Sequence, residues 1–346
     1  MSLVLIRPGQ LYAWRGSSFL LVNTRGDCGL DEPLSGYYFR EARFLSTLRL
    51  EVNTRSPWLC EATVVEPDLL AFTYTYPELT EFGGGGSGQS GDDISSDADG
   101  IPHRALSLRA LYAVSIAGLT VSMSIRNHCT RRVEADVRWI LDADFADIQE
   151  AHEDRRGVRG DPGRDASGTS LTLTSQHPQL AYRTAIVPTG PGPWHVSEST
   201  ITTRVALEPQ QAVVLGLQVS PSGANGEVPF DDVEAREEHL RRWKDGLARV
   251  IIPANKLAER ILQANVRDLA SFPLLEGAPD EWLTLQAGMP LYPALFGRDT
   301  LTAAWQAACL DHGEALDASL TRLGRMESDR VYEWGDEEPG RIPYQW

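Results

Sequence analysis

The sequence predicts a large antiparallel β region followed by an α-helical region, and three observations carry that expectation. Short apolar or alternating runs recur between turn signals up to residue 219 of the 346. No helical pattern separates them, which favours antiparallel pairing over a βαβ arrangement. At Pro229 the apolar period changes from two to about 3.6, and helix-bounding residues replace turn clusters.

The predicted strands begin with LVLIR (3–7), SFLLVN (18–23), SGYYFR (35–40), RFLSTLRLEV (43–52) and LLAFTYTY (69–76). HRALSLRALYAV (103–114), GLTVSMSIRN (118–127) and RRVEADVRWILDAD (131–144) follow. The last alternates cleanly: Val133, Ala135, Val137, Trp139 and Leu141 lie on one face, and Arg132, Glu134, Asp136 and Arg138 on the other. That is the period of a half-buried strand. TSLTLT (169–174), LAYRTAIV (180–187), TITTRVAL (200–207) and QAVVLGLQV (211–219) complete the set, which is read as a large antiparallel sandwich.

Two polar insertions interrupt it. The Gly/Ser/Asp-rich run at 83–100 is read as a loop that does not pack. Its Asp92, Asp93, Asp97 and Asp99 lack the spacing and closing Glu of an EF-hand, so a solvated acidic loop is expected in place of a calcium site. HEDRRGVRGDPGRDASG (152–168) is read as a second charged loop. The acids of DADFAD (142–147) are expected to be solvated at a strand end.

FDDVEAREEHLRRWKDGLARV (230–250) reads as a helix, with acids early and bases late to suit its dipole. Its apolar stripe of Phe230, Val233, Leu240, Trp243 and Leu247 is thin. A second helix is expected from Pro253 to the residue before Pro273, burying Leu257, Ile261, Leu262, Val266 and Leu269. Further helices are expected at 300–311 and 314–326.

Between them, AGMPLYPALFGRDTL (287–301) offers the most specific chemistry. Asp299 or Thr300 is placed to cap a helix whose apolar positions are Leu301, Ala304, Trp305 and Ala308. One reading makes Asp299 only a cap and Arg298 its ion-pair partner. The other makes Arg298 and Asp299 a sugar subsite, with charged donors and acceptors for vicinal hydroxyls set beside the aromatics Phe296 and Trp305.

The wider stretch, with EEPGRI (337–342), resembles the opening of the catalytic domain of bacterial glycogen-debranching, amylo-α-1,6-glucosidase-type proteins, whose pattern includes LFGRDS/T-L and then EPGKI. GLDEPLSGYYFREARFLSTLRLEVN (29–53) is similar to the N-terminal domain of the same family, where DTRFLS is usual. Here Glu41-Ala42 replace Asp-Thr, while Arg43, Phe44 and Leu45 are kept; Arg43 is read as a structural ion-pair partner.

The resemblance implies an N-terminal β-supersandwich over residues 1–225, a linker helix at 226–252, and the first helices of an (α/α)6 barrel at 253–346. Twelve helices with their loops need on the order of 300 residues, so the barrel is expected to be incomplete. Helix faces such as Leu301/Trp305/Ala308 would then lack partners.

Glycoside hydrolysis needs two carboxyl groups, in inverting enzymes about 6.5–9.5 Å apart. The resemblance places both beyond residue 346, so this chain alone is expected to be inactive. Glu333, Glu337 and Glu338 stand as lesser candidates, with Glu338-Pro339-Gly340 read as a turn; Phe296 and Trp334 join Arg298 and Asp299 as expected substrate contacts. After Ile342, PYQW stands where the family shows L/P-H-E-x, so Tyr344 and Gln345 replace a titratable pair.

The formal net charge of −16 argues against a nucleic-acid partner. No run reaches the roughly 18 apolar residues of a membrane span, so a soluble, cytoplasmic protein is expected. Cys28, Cys60, Cys129 and Cys309 show neither CxxC nor metal spacing and are expected to be buried free thiols. No cofactor or metal motif appears: GxGxxG, P-loop and HExxH are all absent. The resemblance therefore implies a glycoside hydrolase acting on an α-glucan. The alternatives are a non-catalytic carbohydrate-binding or interaction module, and a β domain that only stabilises its neighbour.

Overall fold

The computed structural model describes residues 9–29, 32–78, 96–97, 99–153, 160–177, 180–223, 230–331 and 338–342. The strands are β1 (Gln10–Arg15), β2 (Ser18–Asn23), β3 (Gly36–Phe39), β4 (Ala42–Leu45), β5 (Thr47–Val52), β6 (Trp58–Glu66), β7 (Leu69–Tyr76) and β8 (Leu106–Ser115). They continue with β9 (Gly118–Asn127), β10 (Val133–Asp142), β11 (Gly163–Ser167), β12 (Ser170–Thr174), β13 (Arg183–Thr189), β14 (Trp194–Val196), β15 (Thr200–Leu207) and β16 (Ala212–Ser222). A short helix, α1 (Ile148–His152), sits between β10 and β11, and α2 (Val233–Gly246), α3 (Lys256–Leu269), α4 (Gly297–Asp311) and α5 (Glu314–Arg325) follow the strands.

All pairings between these strands are antiparallel, and they form three sheets: β1-β2-β3-β4, β14-β15-β10-β5, and the eight-stranded β11-β12-β13-β16-β9-β8-β7-β6. One continuous apolar cluster draws on all three sheets and reaches α2, α4 and α5. Strand β10 shows how the pattern sets the packing. Val133, Ala135, Val137, Trp139 and Leu141 are buried, while Glu134 and Asp136 face water. Its register against β15 and β5 is fixed because a one-residue slip would turn that apolar row outward.

The segment after β10 corrects two expectations. An α-helix does lie between the strands: Asp147 and Glu150 form a capping box that starts α1. The acids of DADFAD are partnered, not solvated. Asp142 accepts from Arg164 at 3.1 Å, Asp144 pairs with Arg43, and Asp147 caps α1. The expected charged loop at 152–168 contains β11, held by its pairing with β12, while residues 154–159 lie outside the described set. Asp97 is likewise buried, accepting from Ile101 N at 2.7 Å and from the Tyr76 hydroxyl at 3.1 Å. The rest of the 83–95 run and the LVLIR segment fall outside the described residues.

Arg43 is the structural ion-pair partner expected of it. Its guanidinium is fully buried and grips both carboxylate oxygens of Asp144, with Nε 2.9 Å from Oδ1. It also donates to the carbonyls of Pro33 and Ser35. Backbone bonds from Arg43 N to Ala146 O and from Ser46 N to Asp142 O tie β4 to the segment leaving β10. Gly36 makes room for this, because a Cβ there would lie 2.5 Å from Arg43 Cδ.

The helices depart further from expectation. α2 spans Val233–Gly246 and buries Arg236, Leu240 and Trp243. Arg236 donates to the carbonyl of Leu275 and lies over the Phe230 and Trp282 rings. α3 begins at Lys256, not Pro253, because Asn255 Oδ1 accepts from Ala258 N at 3.1 Å. Its stripe is not buried: none of its residues is, and Leu257, Ile261 and Leu262 are exposed. Of the cysteines only Cys28 is buried; all four are free, but Cys60 and Cys309 are exposed. Among the described residues no helix is long and apolar enough to cross a membrane.

Candidate functional site

The FGRDT stretch is positioned by a compact loop system that docks on the β1–β2 turn. Residues 272–275 and 282–286 form a small ladder through Leu274 N to Thr284 O at 2.8 Å and Gln286 N to Phe272 O at 3.1 Å. Gln286, almost fully buried, donates from its side chain to Gly16 O at 3.2 Å. The Gly-Met-Pro turn closes through paired bonds between Gly288 and Tyr292, and Ala287 N reaches Ala294 O at 3.1 Å. The chain then enters α4.

That helix starts three residues before the expected point. Phe296 is its N-cap and makes no side-chain capping bond, so neither Asp299 nor Thr300 caps it. Thr300 is instead buried in the first turn, where its hydroxyl donates to Leu285 O at 2.8 Å and anchors α4 to the ladder. The inward face consists of Gly297, Thr300, Ala304, Ala307 and Asp311. Small Ala304 packs in the same cluster as Ala315 and Ala318 of α5, a seam too close for an indole. Trp305 accordingly points to solvent, 69% exposed.

Arg298 and Asp299 lie side by side at the helix start, 3.7 Å apart, with side chains 72% and 44% exposed. Asp299, in the first turn, sits where the helix dipole favours an anion. Phe296 is buried, with Tyr292 edge-on to it at 5.5 Å. Trp305 shares the outer face with Arg298 two turns on, roughly 10 Å along the axis, and is no floor beside the pair. Trp334, Glu333 and Glu337 lie outside the described residues, as do Tyr344 and Gln345. Glu338 is exposed and opens a tight turn: Arg341 N donates to Glu338 O at 2.9 Å, Pro339 follows, and Gly340 has φ of 84°. Pro and then a left-handed Gly are what a type II turn requires, so the turn expected at Glu338-Pro339-Gly340 is present.

Most carboxylates of this neighbourhood are already committed. Glu276 binds Arg40 at 3.0 Å and Arg322 at 3.3 Å. Asp280 and Glu281 both hold Arg325, and the hydrogen bond from Arg325 keeps the Asp280 carboxyl below its usual range. Buried Asp311 accepts from Trp243 Nε1 at 3.3 Å and from the backbone of Gly313 and Ala315. No group of three metal-ligating side chains occurs among the described residues. Glu276, Arg322, Arg40 and Gln286 carry no local sequence signal; their partners are up to 270 residues away.

Residues 14–218, more than half of the chain, match the family described as the N-terminal domain of some glycogen debranching enzymes. No curated protein matches the chain. Among solved structures, a protein described as a kojibiose phosphorylase from the human microbiome is 8% identical with a TM-score of 0.47, over 92% of this chain and 43% of its own. A bacterial glucoamylase complexed with acarbose is 9% identical with a TM-score of 0.44, over 99% of this chain and 53% of its own. A galactose mutarotase-like protein from Lactobacillus casei is 8% identical with a TM-score of 0.36, over 62% of this chain and all of its own. The chain thus spans about half, or less, of the first two.

Proposed function

This chain belongs to the family of N-terminal domains of glycogen debranching enzymes, and we propose that the protein acts on α-glucans as a glycoside hydrolase of the amylo-α-1,6-glucosidase type. The observation that carries this is the Arg298–Asp299 pair, exposed at the first turn of α4 on a loop system anchored to the matched β region. Planar donors from Arg298 and the acceptor pair of Asp299 suit two neighbouring sugar hydroxyls. In this proposal residues 1–225 are the β-supersandwich, 226–252 the linker helix, and 253–346 the opening of an (α/α)6 barrel. The resemblance to the debranching family implies that the inverting acid and base belong to later helix–helix loops of the barrel; Glu276, Asp280, Glu281 and Asp311 are engaged in ion pairs and hydrogen bonds of the fold. The 346 residues by themselves then release no glucose from branched dextrins.

The test is Asp299→Asn in a version carrying the downstream barrel helices, assayed on branched dextrins. A charged hydrogen bond to a hydroxyl contributes about 1.5–3 kcal/mol. If it strengthens in the transition state, kcat/KM should fall about tenfold to a few hundredfold, with kcat sharing the loss. The melting temperature should barely move, because Asp299 contributes only an exposed first-turn charge. Intact kinetics with lowered stability would make the residue a structural partner of Arg298.

A second reading, a carbohydrate-binding module, is favoured by one observation. Trp58, 46% exposed on β6, borders an open depression of about 730 Å³ with Arg25, Arg55 and Tyr76. Loss of glucan binding on Trp58→Ala, with no hydrolysis by any longer version, would support it.

A further inference from the structure

The Arg298–Asp299 pair is exposed on α4, so where it points is set by how the helix behind it is placed. An apolar cluster of Leu274, Leu295 and Leu323 draws α5, the loop system and the approach to α4 together. Such contacts are non-directional and leave a helix free to turn about its axis. The start of α4 has no side-chain cap to fix it. Thr300, fully buried, supplies the directional contact. Its Oγ1 accepts from Phe296 N at 3.4 Å and donates to Leu285 O at 2.8 Å. One hydroxyl thus joins the backbone just before Gly297 to the ladder of residues 272–275 and 282–286.

The ladder in turn is fixed to the β region. Gln286 is 1% exposed, and its Nε2 donates to Gly16 O at 3.2 Å, in the turn that joins β1 to β2. The next residue, Ser17, donates from Oγ to Glu276 at 3.0 Å. Gly16 has φ of 58°, and a Cβ there would lie 2.9 Å from Leu274 O, so the turn meets the ladder at backbone distance. A chain of contacts therefore runs from Gly16 through Gln286, Leu285 and Thr300 to the residues that carry the pair. We propose that Thr300 and Gln286 are positioning residues for Arg298 and Asp299, through which the β1–β2 turn aims the pair at its sugar. This rests on the subsite reading given above. A pair acting through hydrogen bonds to two hydroxyls is sensitive to its placement, because an error of about 1 Å can cost about a hundredfold in rate.

Kinetics on branched dextrins test it, in the version carrying the downstream barrel helices. Thr300→Val keeps the shape and removes the hydroxyl; kcat should fall about tenfold, with KM within about twofold of the parent. Thr300→Ser keeps the hydroxyl and should hold kcat within about twofold of the parent. Gln286→Met removes the bond to Gly16 at similar side-chain length. It should lower kcat several-fold, and it decides the matter should Thr300→Val fail to fold. In the 346-residue chain itself, hydrogen exchange of the amides at 300–304 should quicken about tenfold in Thr300→Val and not in Thr300→Ser. Strands β9 and β16 should exchange as in the parent. Parent kcat in Thr300→Val, or equal losses in Thr300→Val and Thr300→Ser, overturns the proposal; the subsite reading stands if Asp299→Asn is impaired in the same assay. Exchange that quickens throughout the molecule with kcat unchanged makes Thr300 a stabilising residue only. Parent kinetics in Asp299→Asn, or a parent that releases no glucose, overturns the subsite and this proposal with it.

Discussion

Strand β10 buries Val133, Ala135, Val137, Trp139 and Leu141, whereas helix α3, with as regular an apolar stripe, buries none of its residues and leaves Leu257 69% exposed. The two regions of the molecule are stabilised differently. In the strand region most apolar rows meet in one core shared by the three sheets, and its buried charge, Arg43, has a bidentate carboxylate and carbonyl partners. In the helical region small residues make the seam between α4 and α5, while polar groups such as Thr300, Gln286 and Asp311 fasten the helices to their surroundings. An amphipathic pattern therefore marks an element, but it stabilises only where a second surface meets it.

Substitutions at matched residues should break or sharpen that contrast. The largest effect is expected at Arg43→Ala, which leaves Asp144 without its buried partner and should cost about 3–5 kcal/mol. Arg298→Ala, at an exposed pair, should change stability by less than about 0.5 kcal/mol. Urea denaturation of both decides it; equal losses would mean that the two regions hold their charges alike.

Next comes a pair of leucines. Leu217→Ala, at a fully buried position of β16, should cost about 2–5 kcal/mol through lost contacts and a cavity, and Leu257→Ala under about 0.5 kcal/mol. A comparable cost at Leu257 would show that α3 is covered in solution.

The smallest effect concerns the turn after β2. Burial pushes the Asp27 carboxyl up to about 6 against the partial opposition of Arg25 and Arg49. The folded state then holds a proton that the unfolded chain releases, so this group lowers stability as pH rises from about 4 to 6, and its penalty is complete above pH 6. Asp27→Asn should stabilise by about 1–3 kcal/mol at pH 7.5 and by nearly nothing at pH 3.5. Thermal melts across that window check both sign and range; stabilisation confined to acid pH would contradict the buried carboxyl.

Much of the strand region was legible because a strand's pattern is local. β2, β7, β9 and β15 begin and end where alternation and turn residues place them. β1, β6, β11 and β14 were not anticipated. β6 is an edge strand with most residues exposed, so it has no apolar row to read, and only its pairing with β7 makes it a strand. In the candidate site, the FGRDT stretch stood out as a helix start, but its anchoring could not be read from the sequence. Glu276 meets Arg40 from 236 residues away, and Arg43 meets Asp144 from 101.

The sequence by itself determined most of the strands, the helices after residue 230 and where two charged residues follow a glycine, because backbone period, proline and glycine act within a few residues. Tertiary structure decided which face of α4 turns inward, why Thr300 anchors instead of capping, and why α3 stays wet. Those outcomes depend on which surfaces meet, and a helix can be rotated by one residue at little local cost when small side chains such as Ala304 and Ala307 offer a closer fit than Trp305.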